Sequence, residues 1–355
     1  MKAVPPPPTP TQKIEKEFIM AQRRRDRIGS RGVTRRDVLK LGAAIGSSIV
    51  LPGWSEQILA QEAYPTRAID IIYGFGAGSS GDVTCRLTAA YLRKKWNVPI
   101  NVINKPGGNT VPACLDLYNA KPDGYTLLGD PPGSSSMLAA AVKSLPFKVM
   151  DRTYISMIGA AGMFLIVPPT SPNKTLKDLA DELKRNPEQF TWTSQGAATG
   201  DLIFRKFAQA IGVDISKTKP VTVRSAPEIA TLTAGGQVKV GILVSATAIP
   251  MIQGGLVRPL ALSLAERSPS LPDVPTGAEL GYPTISTLSF IGISGPPKLP
   301  SYIVDKWSIA LQEMLKDPEI ISQLNKIGSM PFYMNSREFR RYVMDEAALV
   351  EKLYG

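Results

Sequence analysis

Between Ile69 and Leu87 the chain runs from Ile69-Asp70-Ile71-Ile72-Tyr73 through Gly74-Phe75-Gly76-Ala77-Gly78-Ser79-Ser80-Gly81-Asp82 into Val83-Thr84-Cys85-Arg86-Leu87. An apolar run, a glycine-rich loop and a helix start in that order make the opening of a strand–loop–helix unit. The four glycines let the backbone turn tightly and approach a ligand closely. The loop N–H groups, with those of the first helical turn, favour an anion, and a small carboxylate fits that chemistry. Two other readings compete. One is a tight turn that holds nothing. The other is a dinucleotide site, because Gly76-Ala77-Gly78-Ser79-Ser80-Gly81 has the G-x-G-x-x-G spacing. That site needs an acid at the end of the next strand to hold the ribose. The next apolar run, Pro99-Ile100-Asn101-Val102-Ile103, ends at Asn104-Lys105-Pro106, with no acid. The acid stands inside the loop, at Asp82, where it would repel a pyrophosphate.

The same rhythm continues. Strands are expected at 100–103 and 125–129, with helices around 82–95 and 110–120. Pro122-Asp123-Gly124 marks a turn, and a loop follows with Gly133-Ser134-Ser135-Ser136. This βαβαβ order predicts a doubly wound, mostly parallel sheet, whose ligands sit beyond the carboxyl ends of the strands. Further strands are expected at 154–159 and 164–168. A helix over 175–185 is expected to be capped by Thr175. Phe190-Thr191-Trp192-Thr193-Ser194 then leads into Gln195-Gly196-Ala197-Ala198-Thr199-Gly200. This second strand–loop–helix unit repeats the logic of the first, and two such loops suggest two lobes clamping one anion. A strand at 221–224 ends on Arg224, a cation suited to a carboxylate. A helix around 226–234, a Gly235-Gly236 turn, a strand at 238–244, a helix around 246–253 and a strand at 259–264 come next. Helices around 301–315, 317–327 and 336–353 close the chain.

At 355 residues the chain is long enough for two cored domains. The net charge of +11 is uneven: residues 1–62 carry 11 Lys/Arg against 6 Asp/Glu, leaving +6 for the rest. The dense basic run Arg23-Arg24-Arg25-Asp26-Arg27 lies in that first segment, so nucleic acid is not an expected partner. The chain has no histidine. That excludes Ser-His-Asp and Cys-His catalysis and argues against zinc or iron. No metal or cofactor is expected. Cys85 and Cys114 read as small apolar helix residues, able to pair only if the fold brings them close.

Residues 1–33 are polar, proline-rich and basic, and disorder is expected there. Thr34-Arg35-Arg36-Asp37-Val38-Leu39-Lys40, followed by a weakly apolar run to Leu51, resembles a twin-arginine export signal. The alternative is an ordinary amphipathic helix. The apolar run falls short of the roughly 20 residues that a membrane anchor needs. Residues 1–62 are therefore expected to be a removed leader, cleaved near Ala60 or Ala63, and the mature protein to be periplasmic.

Several stretches together resemble the Bug-type extracytoplasmic receptors of tripartite tricarboxylate transporters. They are Tyr64-Pro65-Thr66-Arg67, the loop ending in Asp82, Asn104-Lys105-Pro106-Gly107-Gly108, Lys121-Pro122-Asp123-Gly124-Tyr125-Thr126-Leu127-Leu128 and Gly235-Gly236-Gln237-Val238. The most specific is Arg267-Ser268-Pro269-Ser270-Leu271-Pro272-Asp273-Val274-Pro275-Thr276 with Glu279 and Gly281. The resemblance implies an α/β, two-lobed periplasmic binding protein of type II-like fold. Each lobe would be a mostly parallel sheet flanked by helices, with a ligand cleft between them. Lobe 1 would comprise 64–163 plus 289–355, and lobe 2 would comprise 164–288. It also implies a monomer, without enzymatic activity or cofactor, that passes a small organic carboxylate to membrane permease subunits. The positions carried over as ligand-binding are Phe75, Gly78, Ser79, Ser80, Asp82, Ser134, Ser135, Ala160, Ser194, Gly196, Ala198 and Thr199, to which the residue reading adds Arg224. Departures are Gly76-Ala77 where the family has two prolines, Asp201 where it has a histidine, and Leu243 and Arg224 in place of its usual residues. The remaining alternatives are an enzyme on a nucleotide-binding-like sheet and a sensor that presents its ligand to a membrane regulator.

Overall fold

A computed structural model describes residues 64–354 apart from Ala197 and Arg224. The expected leader, with Arg35-Arg36, and the strand-end cation Arg224 lie outside the described residues. From Pro65 onward the chain forms one unit.

The first half follows the expected alternation: β1 (Ile69–Tyr73), α1 (Ser80–Trp96), β2 (Ile100–Asn104), α2 (Val111–Asn119), β3 (Thr126–Asp130), the single turn α3 (Leu138–Ala141) and β4 (Thr153–Ala161). The local chemistry accounts for these elements. β1 lies between β2 and β3, parallel to both, and buries Ile71 and Tyr73 on one face and Ile72 on the other, while Asp70 near its start stays half-exposed. Helix α1 begins at an N-cap serine, Ser79, with Asp82 in its first turn and Arg93, Lys94 and Lys95 in its last. Those charges match the helix dipole. It stops at Asn97 in the left-handed conformation, whose N–H caps the Arg93 carbonyl.

Next come β5 (Met163–Val167), α4 (Leu176–Arg185), β6 (Thr191–Ser194), α5 (Thr199–Ala210), β7 (Lys219–Thr222), α6 (Ala226–Ala234), β8 (Gly241–Val244), α7 (Ser245–Gln253) and β9 (Arg258–Leu262). The expected strand at 221–224 ends two residues early, and the one at 238–244 starts at Gly241. Thr175 caps α4 as expected, in a full capping box with Asp178. Thr175→Ala is expected to lower stability by about 1 kcal/mol in urea unfolding. The core here is aromatic: Trp192 and Phe190 both stack on Phe204, at 4.5 and 5.9 Å between ring centres.

The remaining elements are β10 (Ser289–Gly295), α8 (Ser301–Met314), α9 (Pro318–Lys326), β11 (Met330–Met334) and α10 (Ser336–Tyr354). Sequence patterning misses β10 and β11, and they change the sheet. The large sheet has the order β11-β4-β10-β3-β1-β2, with β10 antiparallel to both neighbours and β11 antiparallel to β4. The expectation of mostly parallel pairing is corrected accordingly. β1 to β4 do share one direction, but the late strand β10 is inserted between β3 and β4. The three-stranded sheet β8-β5-β9 is similar: β8 and β9 share a direction and β5 runs against both. β6 and β7 form a parallel pair. The sheets are thus mixed within an α/β architecture. In β10 the glycine signal has a packing cause, since a side chain on Gly292 would collide with the Phe339 ring of α10.

Candidate functional site

β1 to β4 point the same way, so the loops after β1, β2 and β3 gather at one edge of the sheet. The glycine loop is exposed from Phe75 to Gly78 and half-buried at Ser79 and Ser80. Gly78 has a φ of +82°, which a side chain would strain. Ser79 caps α1, accepting from the Asp82 N–H at 3.4 Å and donating to the Gly76 carbonyl at 3.1 Å. Asp82 is buried, and its carboxylate faces inward. It accepts from the Gly78 N–H at 2.8 Å, Arg86 Nε at 3.0 Å and Asn104 Nδ2 at 2.8 Å. Burial alone would raise this carboxyl, but the hydrogen bonds from Arg86, Gly78 and Asn104 outweigh it and hold it below the usual carboxylate range. Asn104, at the end of β2, also donates to the Phe75 carbonyl at 3.1 Å. Arg86 and Asn104 therefore set the loop. Asn104 stood in one of the quoted motifs, and its place at a strand's carboxyl end was the signal for a site role.

The Phe75 ring lies against Gly133, so the first loop meets the loop after β3. Ser134 and Ser135 are buried there. Ser134 donates to Asp130 Oδ1 at 2.7 Å and Ser135 to the Pro131 carbonyl at 2.9 Å. Asp130 also receives Arg152 Nη1 at 2.9 Å and Ser294 Oγ at 2.6 Å, all of it buried. Both serine hydroxyls are thus committed to holding their own loop. Ala160 lies near the carboxyl end of β4, at the same edge, buried, with its carbonyl accepting from Ser329.

The second loop reproduces the design of the first. Gly196 has a φ of +88°. Asp201, in the first turn of α5, folds back on the loop: Ser194 Oγ donates to its Oδ1, and the Gln195 N–H donates to its Oδ2 at 3.0 Å. The two loops differ at the cap. The N-cap of α5 is Ala198, which offers no side-chain acceptor, so the first-turn N–H groups lack the cap that Ser79 supplies in α1. Neither loop, 74–80 or 194–200, contains a lysine or arginine. The arrangement can bind an anion through backbone N–H groups and the Ser80 hydroxyl, the Ser79 and Ser194 hydroxyls being spent on the Gly76 carbonyl and on Asp201.

Two contacts tie the loops into one region. Met137, after the third loop, packs with Leu202 of α5 and Val350 of α10. The Tyr354 hydroxyl donates to the Gly196 carbonyl at 3.5 Å, while Arg205 lies 4.0 Å over the Tyr354 ring and donates to the Leu353 carbonyl at 3.3 Å. Sequence reasoning missed Tyr354, because no local signal links residues 158 apart. Cys85 and Cys114 are both buried and free.

Solved structures identify the class of fold. A periplasmic transporter matches with a TM-score of 0.72 at 27% identity, covering 82% of this chain and 97% of its own. A Rhodopseudomonas palustris protein solved with adipate has a TM-score of 0.72 at 25% identity, with the same coverages. The periplasmic binding protein BugD, at 24% identity and a TM-score of 0.69, shares the fold. These define an α/β periplasmic binding protein. BugT of Bordetella pertussis is 27% identical over 87% of this chain and 95% of its own length. A UPF0065 protein of Bordetella bronchiseptica is 30% identical over 75% of this chain and 78% of its own. The model of the tripartite tricarboxylate transporter family receptor matches residues 84–354. The chain belongs to that receptor family.

Proposed function

We propose that the mature chain is a periplasmic receptor that captures a small organic carboxylate and passes it to the membrane permease of a tripartite transporter. The observation that carries this reading is the pair of matched loops, Phe75–Ser80 and Ser194–Thr199. Each has a left-handed glycine and a carboxylate turned inward, leaving N–H groups for an anion. The adipate-bound neighbour supports a carboxylate as cargo. Phe75, Gly78, Ser79, Ser80, Gly196, Ala198 and Thr199 are the proposed contacts. Asp82, Ser134 and Ser135 shape the loops behind them, and Arg224 is proposed as the cation for a second carboxylate. The two lobes are proposed as 64–163 plus 289–355 and 164–288. The strands of the large sheet and those of the smaller ones fall on either side of that division to within a residue. Export through the twin-arginine pathway and a monomeric, non-enzymatic state belong to the same proposal. No helix among the described residues is long and apolar enough to cross a membrane.

The test is a thermal-shift screen of the chain from about Ala63 against adipate, malate, tricarboxylates, aromatic acids, NAD and neutral sugars. A ligand at 100 times its Kd adds about 2.7 kcal/mol to the native state, a shift of roughly 4 °C at this size. Stabilisation by a carboxylate and none by NAD is expected. Stabilisation by NAD alone would reverse the reading of the first loop.

A further inference from the structure

The two loops share one device, and beyond the cap they differ in one further respect. In the first, Asp82 receives the side chain of the arginine four residues on, Arg86, at 3.0 Å. In the second, the arginine four residues on from Asp201 is Arg205, which is drawn off to the Leu353 carbonyl and the Tyr354 ring. Among the described residues no cation hydrogen-bonds to Asp201, although its carboxylate is buried and holds both Ser194 and the Gln195 N–H. The N–H groups that the second loop offers an anion lie within one helical turn of that carboxylate.

We propose that capture of an anion at the second loop is coupled to the uptake of one proton by Asp201. This rests on the proposed function above. An anion at Gly196–Thr199 would face a buried negative charge to which no cation among the described residues hydrogen-bonds. A proton taken from solvent onto Asp201 Oδ1 removes that charge. The new O–H donates to Ser194 Oγ, reversing the present bond, and the Gln195 N–H keeps its acceptor at Oδ2. No covalent bond other than O–H is made.

The surroundings agree. Burial pushes the Asp201 carboxyl up to about 6, against the smaller opposing pull of Ser194, the Gln195 N–H and Arg205. The titratable groups facing it among the described residues are Arg205 of its own helix and the Tyr354 phenol of α10. β6 contributes Ser194, and β8 packs Ile242 against neighbouring Gly200, so neither brings a charge. Lys206 and Glu346 face elsewhere, donating to Thr287 and accepting from Ser136. Asp82, held ionised by Arg86, gives the first loop no such response.

The experiment titrates adipate by calorimetry from pH 5.5 to 8, in phosphate and in Tris, with wild type and Asp201→Asn. Above pH about 6 the wild-type Kd is expected to rise by up to tenfold per pH unit, the limit for one linked proton. The difference in heat between buffers should report proton uptake. Asp201→Asn should bind with a nearly level profile and little uptake, its residual slope measuring the titration of adipate itself. A ligand-free arm follows unfolding in urea. Wild-type stability relative to Asp201→Asn should fall as pH rises from about 4 to about 6 and stay level above, since the folded state binds the extra proton in that window. Adipate binding with equal proton uptake in both proteins would overturn the coupling and leave the receptor reading standing. No stabilisation by any carboxylate would sink both.

Discussion

Asp130→Ala and Arg152→Ala are each expected to destabilise the protein by about 3–5 kcal/mol, because either leaves a buried charge without its partner. Both side chains are fully buried, 2.9 Å apart. Asp130 has its remaining capacity filled by Ser134 and Ser294, and Arg152 Nη2 reaches Cys114 Sγ at 3.6 Å. Burial works against the Arg152 charge, but Asp130, together with the smaller pulls of Cys114, Tyr154 and Tyr118, outweighs it and holds the guanidinium protonated. The double replacement should cost less than the two single ones added together, since it removes both charges at once. Urea unfolding of the four proteins measures this. Single replacements costing under about 1 kcal/mol would show that the pair does not hold the loop after β3. That loop carries Ser134 and Ser135 and lies against Phe75, so the variants should also weaken carboxylate capture at temperatures where they remain folded.

Gly328→Ala is expected to cost roughly 3 kcal/mol or more. Gly328 has a φ of +64°, and a Cβ there would sit 2.5 Å from the Ala246 Cα, against backbone that cannot rotate away. The natural control is Gly212→Ala. Gly212 also has a positive φ, +75°, but a Cβ there meets nothing within 4 Å. That substitution should cost about 1 kcal/mol, the conformational penalty alone. The difference between the two isolates the close approach of the α9–β11 turn to the start of α7. Equal costs would mean that the turn can move aside.

These predictions draw on features of unequal visibility in the sequence. The strand–loop–helix units were legible because each is local: a strand-like run, glycines at the turn and a helix start all fall within twenty positions. The Thr175 cap and the Gly235-Gly236 turn were legible for the same reason. β10 was not, because Ser289-Phe290-Ile291-Gly292-Ile293-Ser294-Gly295 is diluted by small residues whose reason lies elsewhere, Gly292 making room for Phe339. β11 contains Pro331 and a register shift, so it carries no clean alternation. At the site, the sequence pointed to both loops and marked Asp201 as a departure. It did not reveal that Asp82 and Asp201 play matching inward roles, or that Tyr354 reaches Gly196. Those facts depend on where side chains turn and on a contact spanning 158 residues.

The placement of β4 carries a consequence for how this chain is made. Its nine residues are almost wholly buried, and both of its neighbours, β10 and β11, are encoded after residue 288. A ribosome therefore delivers β4 well before either partner, a lag on the order of 10 s at ordinary elongation rates. Throughout that interval Tyr154-Ile155-Ser156-Met157-Ile158 is an apolar strand with two open edges, the kind of segment that nascent chains aggregate through. A message broken between the codons for β5 and β10 would release a product in which that exposure is permanent. Such a fragment calls for a chaperone or a protease, whatever the intact receptor binds.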